Sequence, residues 1–403
     1  MRAQGGASLV IGVEAGLIRG PRTGVVNYTI HMVRALLARD LPPQFAALGG
    51  GRWSALDLQG LDELVGDADG IASTPRPATV RIEAALRHRL ARFSPLRSAY
   101  RALRRRRFRN AALPARLDLF HAFNFMPPVS LSVPVVPVIH DLSVVRYPEF
   151  HPADRVRLLR GLADVAARAP AIQTVSEFSK REIKAILGIA GNKIVVAPPA
   201  AAAIFRPLGE AACTTHLAAR DLRFGRYVLV VGTLEPRKNL RTLVDAFSRL
   251  PAPTRARCPM VVVGMTGWGD LALPAATERL RASGHLRFLG AVTNRELRSL
   301  YEGARLLIMP SIYEGFGMPV VEALACGTAV AHSSDTAMDE ITAGLGRRAA
   351  ALDVEGWTHV LDEAANGDAH ADPLLREQRL LRARSFSWQA SADRVAELYR
   401  SLS

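Results

Sequence analysis

Leu306-Leu-Ile-Met309, followed after Pro310 by Ser311-Ile-Tyr-Glu-Gly-Phe-Gly-Met-Pro-Val-Val-Glu-Ala-Leu-Ala-Cys-Gly327, is the stretch whose reading decides the fold. Four unbroken apolar residues predict a short buried strand. The strand is followed by a glycine loop and then a helix with Pro319 near its start, where the missing N–H costs nothing. Gly315 and Gly317 flank Phe316, so the loop can adopt φ > 0 and bring its backbone close to a ligand. Bare N–H groups and the partial positive charge of a helix start suit an anion such as a diphosphate. Glu314 lies before the helix and Glu322 in its opening turn. Both carboxylates are expected to face one pocket at the carboxyl end of the strand, where sugar hydroxyls are fitting donors.

Working outward, short apolar runs alternate with helical patterns, which predicts α/β architecture with parallel sheets. Before the central stretch come Tyr227–Val231, Met260–Val263 and Leu286–Leu289 as strands and Glu296–Glu302 as a helix. The N-terminal half offers strands at Ala7–Val13, Leu117–Phe120, Val133–Ile139 and Ile172–Val175. Its helices are expected from Gly24, over Ala153–Ala167, and over Glu177–Leu187 with Ser176 as N-cap. Residues 42–77 have a poor pattern and read as loops around Gly49-Gly50-Gly51 and Asp67-Ala-Asp69. At 403 residues the chain is expected to hold two doubly wound domains. The prolines and alanines between Ala197 and Pro207 place the boundary near residue 205, giving 1–205 and 206–387.

Candidate chemistry clusters at predicted strand ends. Arg237 and Lys238 follow the Tyr227–Val231 strand in Gly232-Thr-Leu-Glu-Pro-Arg-Lys-Asn239, where a guanidinium forks onto two phosphate oxygens and an ammonium acts as a point charge. His140-Asp141 follows Val133–Ile139, at the sheet edge where open α/β folds bind ligands. His121 ends another run and reads equally as a core residue. Thr23-Gly24 opens a helix, either as a plain cap or as a phosphate contact. Asp67 and Asp69 spell Asp-x-Asp, but no strand leads into them, and they read as turn formers.

The string Glu314-Gly-Phe-Gly-x-Pro-x-x-Glu322 resembles the Glu-x7-Glu motif of the GT-B-fold retaining glycosyltransferases of family 4, the glycosyl transferases group 1. The resemblance implies two Rossmann-like domains facing across a cleft. Residues 1–205 would bind the acceptor, 206–387 the nucleotide sugar, and a last helix in 388–403 would cross back. It implies Glu314 and His140 as catalytic residues, and Arg237, Lys238, Gly315, Phe316, Gly317, Glu322 and Gly24 as donor-binding residues, with no metal and no cofactor. Glu314 would bind sugar hydroxyls or stabilise positive charge at the anomeric carbon. The chain departs from the family at Thr233, where many members carry arginine, and at Asp339-Glu340, where a Pro-Glu pair is usual. The segments His140–His151 and Gly232–Asn239 look most like bacterial mannosyl- or rhamnosyltransferases of surface-polysaccharide assembly. That implies GDP-mannose as donor and a glycan or polyprenyl-diphosphate-linked acceptor, in lipopolysaccharide O-antigen or exopolysaccharide synthesis.

An apolar fraction of 49% with 22% charged residues excludes a disordered or fibrous chain. Three scattered cysteines give neither a disulfide framework nor a zinc spacing. Apolar runs fall short of a membrane span and Ala7–Val13 lacks a cleavage site, which points to the cytoplasm. The net charge of +15 requires an anionic partner. Eleven arginines against one acid, Glu83, lie between Arg81 and Arg109, with Leu86, Leu90 and Phe93 on one side of a predicted helix. This pattern suits docking on an anionic inner-membrane surface. The competing class is a polyanion-binding protein using the same segment on nucleic acid. Its base-stacking aromatics are sparse there, only Phe93, Tyr100 and Phe108, so no nucleic acid is expected.

Overall fold

The computed structural model describes residues 9–19, 23–49, 52–66, 114, 116–127, 131–367 and 372–402. Asp67, Asp69 and the Arg81–Arg109 segment lie outside the described residues. Thirteen strands form among those described, in chain order β1 Val10–Glu14, β2 Gln44–Gly49, β3 Arg52–Leu56, β4 Leu119–Ala122, β5 Val135–Ile139, β6 Ile172–Thr174 and β7 Ile194–Val196. Then follow β8 Val228–Val231, β9 Met260–Val263, β10 Leu286–Gly290, β11 Leu306–Met309, β12 Val330–Ser333 and β13 Arg347–Ala349.

One sheet runs β3-β2-β1-β4-β5-β6-β7 and the other β10-β9-β8-β11-β12-β13. Every pairing in the second sheet is parallel. Its order, relabelled from its own first strand, is 3-2-1-4-5-6, the doubly wound Rossmann order. Parallel strands buried on both faces need unbroken apolar runs. Val228–Val231, Met260–Val263 and Leu306–Met309 supply them, all buried. The covering helices show the matching spacing. Leu240, Leu243, Val244 and Phe247 line one face of Leu240–Arg249, and Trp357, Val360, Leu361 and Ala364 one face of Val354–Asn366. These residues meet in one core with the sheet. Each large apolar side chain there contributes roughly 1.5–3 kcal/mol of burial.

By packing, the described residues group into two compact units: those within 1–138, 165–173 and 392–403, and those within 139–164 and 174–391.

The stretch read as loops, residues 42–77, instead holds β2, antiparallel β3 and the helix Leu58–Val65. Phe45–Leu48 is a buried four-residue run without alternation, and Gly49 pairs with Arg52. Asp57 caps the helix by accepting from the Gly60 N–H at 2.7 Å. The helix expected over Ala153–Ala167 is two, Ala153–Leu159 and Leu162–Arg168, interrupted at Arg160-Gly161. Strands β4 and β5 begin two residues later than expected. His121 therefore lies within β4, fully buried, with Nδ1 2.6 Å from the Tyr399 hydroxyl.

Candidate active site

Strands β8 and β11 are neighbours at the point where the order of the second sheet reverses, the place where open α/β sheets hold ligands. The loops leaving their carboxyl ends are 232–239 and 310–317. Gly232 leaves β8 at φ 153°, and Gly264 leaves β9 at φ 155° so close to it that a Cβ would overlap the Gly232 carbonyl. Pro236–Lys238 forms a single 3-10 turn ending at Asn239 in the left-handed region. The Asn239 amide donates to the carbonyls of Pro310 (3.0 Å) and Ala351 (2.6 Å) and accepts from Thr242 Oγ1 (2.7 Å). Together with the Ile312 N–H donating to the Arg237 carbonyl, this joins the two loops.

An ion cluster occupies the junction. Lys238 Nζ lies 2.5 Å from Glu314 Oε1, and Arg237 Nη1 lies 3.1 Å from Glu314 Oε2. Arg237 also donates to the Tyr313 carbonyl at 2.5 Å and to Glu235 at 2.6 Å. Burial alone would raise the Glu314 carboxyl, but Lys238 and Arg237 bring it down to about 2. Asp141 is likewise held below the usual carboxylate range: Arg237 and the Ser143 hydrogen bonds outweigh its burial. Burial works against the Arg237 charge, yet Glu314, Glu235 and Asp141 hold it firmly protonated. Arg237, expected to fork onto a phosphate, thus has both terminal nitrogens engaged on protein oxygens. Lys238 has three N–H donors, and Glu314 is its one partner among the described residues, so it retains capacity for an anion. It borders a small depression with Gly232, Thr233 and Ser311.

The loop after Glu314 is shaped by two glycines for different reasons. Gly317, at φ 111°, is the N-cap residue of the helix Met318–Ala325. Gly315 does not take a positive φ; a Cβ there would overlap the His140 carbonyl and meet Asp141 Cβ at 2.7 Å. The Gly315 carbonyl accepts from Ser176 Oγ (2.6 Å) and Ser179 Oγ (3.0 Å), while Ser179 Oγ also reaches the His140 carbonyl (3.1 Å). The close approach expected toward a ligand is therefore, at Gly315, an approach to the segment bearing His140 and Asp141. Phe316 is buried edge-on against Phe386, which leaves its main chain as the part available to a ligand.

Glu322 falls in the second turn of its helix, one turn later than expected, and forms no ion pair among the described residues. The Tyr301 hydroxyl donates to its Oε2 at 2.8 Å, and Oε1 accepts no hydrogen bond among the described residues. Burial raises its carboxyl to about 7, only partly offset by Tyr301. So Arg237, Lys238, Glu314, Gly315, Phe316, Gly317 and the His140 segment share one unit and one loop cluster, with Glu322 on the helix that follows. Gly24 belongs to the other unit. It opens the helix Gly24–Leu37 behind Thr23, whose hydroxyl accepts from the Val26 N–H at 3.4 Å, and a Cβ at Gly24 would meet no atom within 4 Å. Among the described residues no group of three His, Cys, Asp or Glu side chains could hold a metal ion, and no helix is long and apolar enough to cross a membrane.

The sequence reading assigned no role to Glu235, Asn239 or Tyr301. The Asp339-Glu340 departure has a structural consequence: Glu340 accepts from the N–H groups of Glu177 (3.1 Å) and Phe178 (3.0 Å), capping a second helix, while Asp339 forms a capping box with Thr336.

Two Rossmann-like sheets, parallel but for the β3 edge, with the glycine loop and helix at the switch point of the second, define the GT-B class. HepE of Anabaena, in complex with UDP and glucose, is similar with a TM-score of 0.67 at 15% identity over 98% of this chain and 100% of that one. WaaG, a glycosyltransferase involved in lipopolysaccharide biosynthesis, is similar with a TM-score of 0.61 at 15% identity over 97% and 99%. Residues 224–347 match the model for glycosyl transferases group 1, and residues 22–201 that for glycosyltransferase family 4. O-antigen chain mannosyltransferase B of Escherichia coli is 32% identical over 387 residues, 96% of this chain and 98% of that one. The chain belongs to the family 4, group 1 glycosyltransferases.

Proposed function

We propose that this glycosyltransferase moves mannose from GDP-mannose, with retention at the anomeric carbon and without a metal, to a hydroxyl of a glycan acceptor carried on a polyprenyl diphosphate. The place of this reaction is O-antigen or exopolysaccharide synthesis at the inner face of the membrane. The observation that carries the reading is the likeness, along nearly the whole of both chains, to an O-antigen chain mannosyltransferase. In it, residues 206–387 bind the donor, residues 1–205 the acceptor, and the helix in 388–403 returns to the acceptor side.

The arrangement of the site supports the following chemistry. The C1–O bond to the diphosphate breaks, the departing phosphate oxygen takes the acceptor hydroxyl proton, and the acceptor oxygen bonds C1 on the same face. Negative charge grows on the leaving group, and a cation already fixed beside it lowers the barrier. Lys238 supplies that cation, held in place by Glu314, and the N–H groups at Gly315–Gly317 add their dipoles. Arg237 holds the 313–314 loop in register and adds positive potential. Glu322 accepts from the ribose hydroxyls through Oε1, Gly24 lets the backbone approach the donor, and His140 faces the transferred sugar.

A panel of nucleotide sugars, with and without EDTA, tests this. Turnover with GDP-mannose that is insensitive to chelator is expected. A preference for a uridine donor, or activity lost to EDTA and restored by manganese, contradicts it. The polyanion-binding alternative rests wholly on residues 81–109, and no observation favours it.

A further inference from the structure

A helix opens with N–H groups that have no partner inside it, and these are free for a ligand unless the protein itself takes them. In the helix Glu177–Leu187 the protein takes them. The Glu177 and Phe178 N–H groups donate to Glu340 at 3.1 and 3.0 Å, and the Ser179 N–H to Ser176 Oγ at 2.9 Å. The helix start is thereby fixed, and its two serine hydroxyls reach other loops. Ser176 Oγ donates to the Gly315 carbonyl at 2.6 Å, and Ser179 Oγ lies 3.0 Å from that carbonyl and 3.1 Å from the carbonyl of His140. Each hydroxyl has one proton to give, so Ser179 bridges the two carbonyls rather than saturating both. Both serines are buried, at 0% and 1% exposure, so water does not compete for these bonds. All of these residues belong to the unit that holds Glu314 and Lys238.

No peptide bond among the described residues is cis, and in a planar trans peptide the N–H points opposite to the C=O. With the Gly315 carbonyl held on the serines, the Phe316 N–H is turned away from them, and it has no hydrogen-bond partner among the described residues. Phe316 is buried with its ring edge-on to Phe386, and a buried main-chain N–H without a partner in the chain calls for one from outside. We infer that Ser176 and Ser179 are positioning residues, which aim the Phe316 N–H at an oxygen of the bound sugar nucleotide and hold the His140 segment in register with it. Hydrogen bonds accepted by the Gly315 carbonyl also polarise the peptide and strengthen its N–H as a donor. The inference rests on the reading of the protein as a sugar-nucleotide transferase and adds two residues to it. The oxygen belongs to the leaving diphosphate or to a hydroxyl of the hexose.

Gly315-Phe316 is the one Gly-Phe pair in the sequence. Protein isotope-labelled at the glycine carbonyl carbon and at the phenylalanine nitrogen therefore gives a single NMR correlation that reports this peptide. In wild type, the sugar nucleotide that the protein turns over, GDP-mannose by the reading above, is expected to move the Phe316 amide proton downfield, the mark of a new hydrogen bond. A shift already present with the nucleoside diphosphate alone assigns the partner to the diphosphate, and one that needs the sugar nucleotide assigns it to the hexose. In Ser179→Ala the Gly315 carbonyl carbon should move upfield in the free protein and the ligand-induced proton shift should shrink. Its kcat/KM should fall about tenfold, the loss of one directed hydrogen bond. Thr174→Val is the control, since it removes a buried hydroxyl of the same kind, 2.7 Å from the Ile139 carbonyl, and should leave the Phe316 signal and its shift in place. A wild-type amide unmoved by the sugar nucleotide, a Ser179→Ala protein with wild-type signal and turnover, or equal losses in Thr174→Val overturn the inference while the transferase reading stands. A wild-type protein that neither binds nor turns over any nucleotide sugar overturns both. If Ser179→Ala fails to fold, the wild-type titration decides together with Ser179→Cys, whose thiol is a weak donor and should show the same losses.

Discussion

Lys238 and Arg237 are adjacent in the chain and differ in what they are free to do. Among the described residues Lys238 has one carboxylate partner and spare donors, whereas both terminal nitrogens of Arg237 are engaged on Glu235, Glu314 and the Tyr313 carbonyl. Lys238→Ala should therefore lower kcat by about 100- to 1,000-fold, the loss typical of one fixed transition-state donor, with a smaller fall in Tm than Arg237→Ala because the buried Glu314 keeps Arg237 as a partner. Arg237→Ala should cost about 3–5 kcal/mol of stability, because it leaves buried carboxylates short of a partner. Paired kinetics and thermal melts separate the two roles, and the reverse pattern would exchange them. Glu322 gives a prediction in pH. Its carboxyl sits at about 7 in the free protein, and ribose hydroxyls donating to it favour the charged form and lower that value on binding. Nucleotide affinity should then rise with pH up to about 7 and flatten above it, with proton release on binding below 7 that Glu322→Gln abolishes. Calorimetry in buffers of different ionisation enthalpy measures that release; affinity independent of pH from 5 to 8 would remove Glu322 from the ribose. The two glutamates and two cations were legible because they sit in short motifs. Tyr301 and Asn239 were not, since what defines them is partners 21 to 112 residues away.

The strand, loop and helix from Leu306 to Ala325 form as read, because an apolar run, two glycines and an early proline each restrict the backbone locally. What the sequence could not show is which glycine serves which need. Gly317 takes a positive φ, whereas Gly315 makes room for the His140 carbonyl, a neighbour 175 residues back along the chain, fixed by the same unit. Gly315→Ala should hence be the more damaging change. We expect it to cost at least about 1–3 kcal/mol through overpacking and to lower activity by displacing the 140–141 segment, whereas Gly317→Ala carries a left-handed backbone cost of about 1–2 kcal/mol. Denaturant midpoints and kcat for the two variants check the order. An unaffected Gly315→Ala would mean that the loop does not depend on that contact. Residues 42–65 hid two strands and a helix for a related reason: a short edge hairpin with few turn-free residues gives little periodicity, and its burial comes from β1 beside it.

At the scale of the molecule, the repeating strand–helix alternation and the chain length were enough to indicate two parallel sheets, while the antiparallel edge at β3 required the structure. Net charge belongs to this scale too. The eleven arginines of residues 81–109 supply much of the +15 excess, and clustered basic residues gain roughly 1 kcal/mol each at an anionic bilayer surface. We predict that the protein co-sediments at low salt with liposomes containing anionic lipid, but not with neutral ones. A variant with Arg104, Arg105, Arg106 and Arg107 replaced by Gln should pellet less, and equal pelleting of both proteins would assign this charge to another role. The central claim is a same-face transfer of mannose from a GDP-linked donor, and the most direct measurement is the anomeric configuration of the product. With GDP-α-mannose and a mannose-terminated acceptor, the one-bond C1–H1 coupling in the NMR spectrum of the purified product should be that of an α-mannoside. A β-mannoside, or no transfer from GDP-mannose at all, would contradict the account.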